Sequence, residues 1–244
     1  SGGRRVSETA EDALLGGRVR FAQPARGYRA AIDPVLLAAA AGTPRRALDL
    51  GCGAGAALLC LLARVPGVHA LGVERDPALA ALARANLAAN GFEDRARIAT
   101  GDLSALGESG FDLVLAHPPY LEAARAAPSP DPMKRAADVE GDAKLADWVA
   151  AAIRAATPKG HVLFVQRADR LADLLAALGK LGEIVVFPLW PRAGAAAKRV
   201  LVRARVGSRA PLALAAGMVL HEADGKYTAR AEAILRDGGE LPLL

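Results

Sequence analysis

From Ala47 to Arg205 the chain alternates short apolar runs with amphipathic stretches of roughly ten to fifteen residues, and this restricts its fold more than any other feature. Ala47–Leu50 reads as a strand running into a glycine turn, and Ala56–Arg64 as a helix that ends at Pro66-Gly67. His69–Glu74 is the next strand, and Pro77 opens a helix that Gly91 stops after Asn90. Strands follow at Ala96–Thr100 and Phe111–Ala116, the second apolar except for Asp112, as expected of a parallel strand covered on both faces. A helix near Ala143–Ala156, a strand at His161–Gln166, a helix at Asp169–Leu181 and strands near Ile184–Pro188 and Val200–Arg205 complete the alternation. Right-handed crossovers then imply an α/β fold with a doubly wound, mostly parallel sheet, and ligands gather at the carboxyl ends of its strands. An N-terminal extension (1–44) and a tail (208–244), with a short hairpin and a helix near Ala229–Arg236, flank the 45–207 core. No linker separates them, so one domain is expected.

With 52% hydrophobic residues in 244, the chain can bury a sizeable core. Charged residues such as Asp33, Arg45, Asp147 and Arg154 break the alanine-rich stretches before any reaches membrane-spanning length, so a soluble protein is expected. Ser1–Arg5 is followed by Glu8, Glu11 and Asp12 rather than by an apolar signal segment. Two cysteines, Cys52 and Cys60, cannot frame a secreted scaffold, and no CxxC or HExxH spacing offers a metal site, so the expectation is a cytoplasmic protein without metal. A net charge of +5 fits either a polyanionic partner or a solvated basic surface.

The first core strand leads into Gly51-Cys52-Gly53-Ala54-Gly55, where glycines let the backbone approach a ligand at the next helix N-terminus. Asp49 precedes the turn, and Glu74 closes the next strand, where a carboxylate can chelate ribose hydroxyls. Nicotinamide folds favour G-x-G-x-x-G, whereas this D-x-G-x-G-x-G resembles motif I of the Rossmann-like, class I S-adenosylmethionine methyltransferases. The resemblance implies S-adenosyl-L-methionine as cofactor, with Asp49, Gly51, Gly53 and Gly55 near its methionine moiety, Glu74 on its ribose and Asp102 by its adenine. The plainer alternative is that the three acids cap strand and helix ends. Cys52 reads as a loop filler rather than a nucleophile.

After the fourth core strand stands His117-Pro118-Pro119-Tyr120, which resembles the Asn-Pro-Pro-Tyr motif of amino-group methyltransferases. An exocyclic amine has its lone pair delocalised into the ring, and acceptors on its two protons help turn that pair toward the methyl donor. In the family the Asn oxygen and the first proline's carbonyl accept, and the aromatic residue stacks on the target. Pro118 and Tyr120 match the pattern, and His117 departs from it. A neutral imidazole can still accept one hydrogen bond, but a protonated one only donates. Three readings stay open: an amino acceptor, an altered substrate, or an impaired site.

The resemblance extends further along the chain. Gln23–Arg29 with Ile32–Leu37, and Val219–Glu222 with Asp224–Thr228, resemble the two ends of bacterial tRNA adenine-N6 methyltransferases, which act on a valine tRNA. It implies that Tyr28, Arg29 and Asp33 line the cofactor pocket and that RNA, a tRNA, is the partner. The segment Leu121–Asp142, carrying Lys134 and Arg135, reads as a substrate loop or a solvated insertion, and Lys198 and Arg199 as phosphate contacts or solvated cations. Rival readings are a protein-glutamine methyltransferase, which usually carries a separate N-terminal domain, a small-molecule methyltransferase, and an RNA-binding module without turnover.

Overall fold

Strands that are apolar on both faces need cover on both, and the chain supplies it with helices from two sides of one sheet. The computed structural model describes residues 9–25, 32–103, 107–119, 144–179 and 181–244. The chain enters as an antiparallel ribbon, β1 (Thr9–Leu14) and β2 (Val19–Pro24), followed by α1 (Asp33–Ala39). The core continues as β3 (Arg46–Leu50), α2 (Ala56–Arg64), β4 (His69–Glu74), α3 (Pro77–Ala89), β5 (Ala96–Thr100) and β6 (Phe111–Ala116). Next come α4 (Leu145–Ala155), β7 (Ala156–Arg167), α5 (Leu171–Leu178), β8 (Gly182–Trp190) and β9 (Arg199–Arg205). Two short strands, β10 (Ala213–Leu214) and β11 (Met218–Val219), and α6 (Ala229–Asp237) close the described chain.

The sheet runs β10-β8-β9-β7-β6-β3-β4-β5, with β11 also on β8. The strands from β3 to β7 pair in parallel, and β9 runs antiparallel between β7 and β8. This is the doubly wound, mostly parallel sheet expected from the alternation. From β3 the chain steps outward to β4 and β5, then returns to the other side of β3 as β6. The order therefore reverses between β3 and β6, the point at whose carboxyl ends doubly wound sheets bind their ligands. Period-2 alternation assigns the faces: Ala47 packs with α1, α2, α3 and α6, while Leu48 and Leu50 pack with α4 and α5.

Two features of the flanking segments depart from expectation. The N-terminal extension holds the β1–β2 ribbon, whose outer strand is polar and mostly exposed, so it carries no apolar period to read. Its inner strand alternates, with Val19, Phe21 and Gln23 buried. In the tail, β10 and β11 add to β8 in parallel, and the expected hairpin shrinks to one antiparallel bridge between His221 and Tyr227.

Candidate active site

The glycine turn sits at the reversal point and is tied to β4. Cys52 N donates to Val73 O at 3.0 Å, closing the turn against β4, and Gly55 N donates to Cys52 O at 2.8 Å. Gly51 has φ 64°, and a Cβ there would lie 2.3 Å from Cη2 of Trp148, the buried α4 indole beneath the turn. Gly53 also has φ 56°, yet a Cβ there would meet nothing within 4 Å, which leaves the outer side of the turn open for a ligand. Gly51→Ala is accordingly expected to lose about 2–4 kcal/mol of stability to strain and overpacking, and Gly53→Ala about 1 kcal/mol to strain alone. Urea denaturation of both variants measures the difference, and equal losses would contradict the packing argument.

Glu74 holds the turn from the end of β4. Its two carboxylate oxygens accept from Gly53 N and from Asp76 N, both at 2.9 Å, while the side chain stays buried. Asp102 stands exposed on the same rim, one residue past Gly101, whose N–H donates to Glu74 O at 3.0 Å. Asp49 lies beneath the turn, 2% exposed. The Leu58 N–H in the first turn of α2 donates to its carboxylate, but Oδ2 is buried without a partner. Burial, offset in part by that hydrogen bond and reinforced by the nearby Glu74 charge, pushes the Asp49 carboxyl up to about 7. A buried carboxylate oxygen lacking a partner beside an open glycine turn suits a cationic ligand. Burial also raises the Cys52 thiol well above its ordinary value, which disfavours the thiolate a nucleophile needs.

Beside the turn, His117 follows β6, the strand paired with β3, with its side chain 12% exposed. Its Nε2 lies 3.8 Å from Asp33 Oδ2, and Arg199 Nε donates to that same oxygen at 2.9 Å. Three distant segments thus converge: the start of α1, the end of β6 and the start of β9. Burial lowers the His117 pKa below its ordinary value, with Asp33 opposing and Arg199 assisting, so the ring is neutral at neutral pH. Pro118 is buried and Pro119 exposed beyond it. Asp33, expected at the cofactor, therefore touches the reaction motif, and Arg199, expected at phosphates or in solvent, is engaged by Asp33. Tyr28, Arg29, Tyr120, Lys134 and Arg135 lie outside the described residues.

Sequence reasoning missed Asn86. From α3 its Nδ2 donates to Ala54 O in the glycine turn at 2.9 Å and to Ala22 O at 2.8 Å, while its Oδ1 accepts from Ala22 N at 2.9 Å. Asn90, one turn on, pairs with both backbone groups of Arg20 in the same way. Two amides at i and i+4 thus serve as a surrogate strand for β2 and clamp the ribbon beside the turn. Their spacing on one helix face was the available signal.

A family model described as the methyltransferase small domain matches residues 34–129. The chain is 36% identical over 158 residues to a tRNA1(Val) (adenine(37)-N6)-methyltransferase of Porphyromonas gingivalis, covering 60% of this chain and 61% of that protein's length. It is 31% identical over 203 residues to the protein of the same name from Aeromonas hydrophila subsp. hydrophila, covering 81% of this chain and 84% of the relative. Among solved structures it is similar to a predicted O-methyltransferase from Agrobacterium tumefaciens, with a TM-score of 0.70 at 26% identity over 86% of this chain and 97% of that one. Among the described residues, no helix is long and apolar enough to cross a membrane, and no group of His, Cys, Asp and Glu stands ready to hold a metal ion.

Proposed function

Because the chain belongs to the class I S-adenosylmethionine-dependent methyltransferases, among relatives of the tRNA1(Val) adenine-N6 enzymes, we propose that it methylates the exocyclic N6 of an adenine in tRNA. The observation that carries this reading is His117-Pro118 at the end of β6, in register beside the glycine turn that follows β3, with the imidazole neutral and backed by Asp33 and Arg199. The chain spans about three-fifths of the first relative's length, 61%.

The residues present fit the cofactor. Asp49, with its unpartnered Oδ2, suits the cationic end, the Gly51–Gly55 turn leaves room for close backbone approach, and Glu74 suits the ribose hydroxyls. When bound, S-adenosylmethionine supplies a sulfonium methyl group, and the C–S bond that breaks as the C–N bond forms leaves its electron pair on sulfur. His117 accepts one N–H of the target amine through an unprotonated ring nitrogen, and the Pro118 carbonyl accepts the other, which turns the nitrogen lone pair toward the methyl. The carboxylate of Asp33 favours the tautomer whose N–H faces it, and so leaves the other ring nitrogen as acceptor. Arg199 holds Asp33 in place. The proton of the methylated nitrogen then leaves through the imidazole or to water. Accepting, rather than basicity, is the requirement, which is why an asparagine serves in the motif this one resembles.

Methyl transfer to unmodified tRNA by three proteins tests the reading. His117→Asn is expected to keep or raise the rate, and His117→Ala to lower kcat roughly tenfold to a few hundredfold, the range for a hydrogen bond made at a reacting group. Equal losses in both variants would instead make His117 a general base toward a hydroxyl. An Ala variant as active as wild type would remove His117 from the mechanism. The pH profile carries the same sign. Protonation abolishes acceptance and burial lowers the pKa, so kcat falls only below pH 6.5, and the Asn variant lacks that acid limb.

A further inference from the structure

The carboxyl end of the sheet continues past His117 into a second surface. β9 begins at Arg199 opposite Arg167 at the end of β7, so the loop between Trp190 and Arg199 rises on the same rim as the candidate site. That loop carries exposed Arg192 and Lys198, with no acidic residue between Trp190 and Arg199. It is braced by the turn His221–Tyr227: Leu220 N donates to Trp190 O at 2.8 Å and His221 N to Pro191 O at 3.2 Å. Arg192 reaches over the turn, its Nη2 4.0 Å from where a Cβ at Gly225 would stand.

Tyr227 closes the turn, 37% exposed. Its ring stacks on His221 with centroids 4.7 Å apart and planes 26° off parallel, and His221 is fixed by Nδ1, 3.1 Å from Pro191 O. A tyrosine braced from behind and open in front is a preorganised platform for a planar group. Among the described residues the other exposed large hydrophobics are Leu212, Leu214 and Leu244, so the rim lacks the apolar centre of a protein interface. Its acids, Glu222 and Asp224, are exposed, and Asp224 pairs with Lys226 at 3.2 Å with both side chains more than half in solvent. Such a pair is weak and leaves Lys226 able to turn to a phosphate.

We propose that the rim formed by the Trp190–Arg199 loop and the His221–Tyr227 turn binds single-stranded RNA flanking the target base, with a neighbouring base stacked on Tyr227 and phosphates on Arg192, Lys198 and Lys226. The mode combines an aromatic platform with a basic track, as in other single-strand binders. It rests on the RNA reading of the site and adds where the RNA lies.

Equilibrium binding of unmodified tRNA across a salt series, beside methyl-transfer kinetics, tests it. Tyr227→Ala is expected to raise Kd and KM for tRNA about tenfold or more while Tyr227→Phe stays near wild type. Arg192→Ala/Lys226→Ala is expected to flatten the slope of log K against log salt by about one to two. In all three variants kcat at saturating tRNA and calorimetric S-adenosylmethionine affinity should stay unchanged, which reports an intact fold and site. If the wild type methylates tRNA but the variants bind it as well as the wild type does, the surface is wrong and the RNA reading stands. If the wild type neither binds nor methylates tRNA, both fall. If it methylates a release-factor peptide and Tyr227→Ala raises KM for that peptide, the surface belongs to a protein substrate.

Discussion

Asp49→Asn is expected to make the ligand-free protein more stable at neutral pH and to weaken S-adenosylmethionine binding by about one to two orders of magnitude. Burial raises the Asp49 carboxyl from 3.8 to about 7 in the folded chain. Between those values the folded state keeps a proton that the unfolded chain has released. Its contribution to stability therefore falls as pH rises from about 4 to 7 and is level above that. A shift of that size bounds the penalty at on the order of 4 kcal/mol, at about 1.4 kcal/mol per unit. Asparagine keeps the shape and the acceptor for Leu58 N–H without a charge to desolvate. Denaturation at pH 4 and pH 8 should show a stabilisation of roughly 2–4 kcal/mol at the higher pH that shrinks toward zero at the lower. Binding should move the opposite way, because a carboxylate facing cations contributes about 1.5–3 kcal/mol through charge-assisted hydrogen bonds. The loss should be larger for S-adenosylmethionine than for its demethylated product, which lacks the sulfonium charge. Wild-type affinity should itself decline as pH drops below about 7, where Asp49 takes up its proton. A variant that binds both compounds as the wild type does would remove Asp49 from the pocket.

The second large effect concerns Glu74. Glu74→Ala strips the acceptor from Gly53 N and Asp76 N together, so the turn loses its side-chain tie to β4 as well as its ribose partner and keeps only the Cys52 N to Val73 O bond. Leaving a buried donor unsatisfied costs about 1–3 kcal/mol, and the summed loss of binding should exceed a hundredfold. Here S-adenosylmethionine and its demethylated product should suffer alike, because the ribose is common to both. That equality separates Glu74 from Asp49 in one set of calorimetric titrations. Unchanged affinity in Glu74→Ala, or tight binding of a nicotinamide dinucleotide by the wild type, would overturn the cofactor assignment.

Much of this arrangement was legible in the sequence where local chemistry decides it. Buried parallel strands must be apolar on both faces, so β6 announced itself, and the Pro77 and Gly91 punctuation bounded α3 to within a residue. The glycine turn and Glu74 were legible because both stand within one βαβ unit, where the Glu74 carboxylate accepts from Gly53 N. The α1 helix was harder to see, being seven residues long and lying among segments without a strand–helix rhythm. The pairing of Asp33 with Arg199, 166 positions apart, had no local signal at all, since only the sheet order brings the start of β9 beside α1. β7 begins earlier than the expected His161, at Ala156, because Phe111 pairs with Ala156 ahead of a register shift that has no local sequence signal.

Nucleoside analysis tests directly whether the reacting atom is an exocyclic nitrogen of an RNA base. Wild-type protein is incubated with methyl-labelled S-adenosylmethionine and unmodified tRNA, and the RNA is digested to nucleosides and resolved. The label is expected to co-migrate with N6-methyladenosine, and Glu74→Ala is expected to form little of it. RNA free of label, with the methyl group instead on a glutamine of a release-factor peptide or on a small hydroxylated compound, would contradict the proposed function.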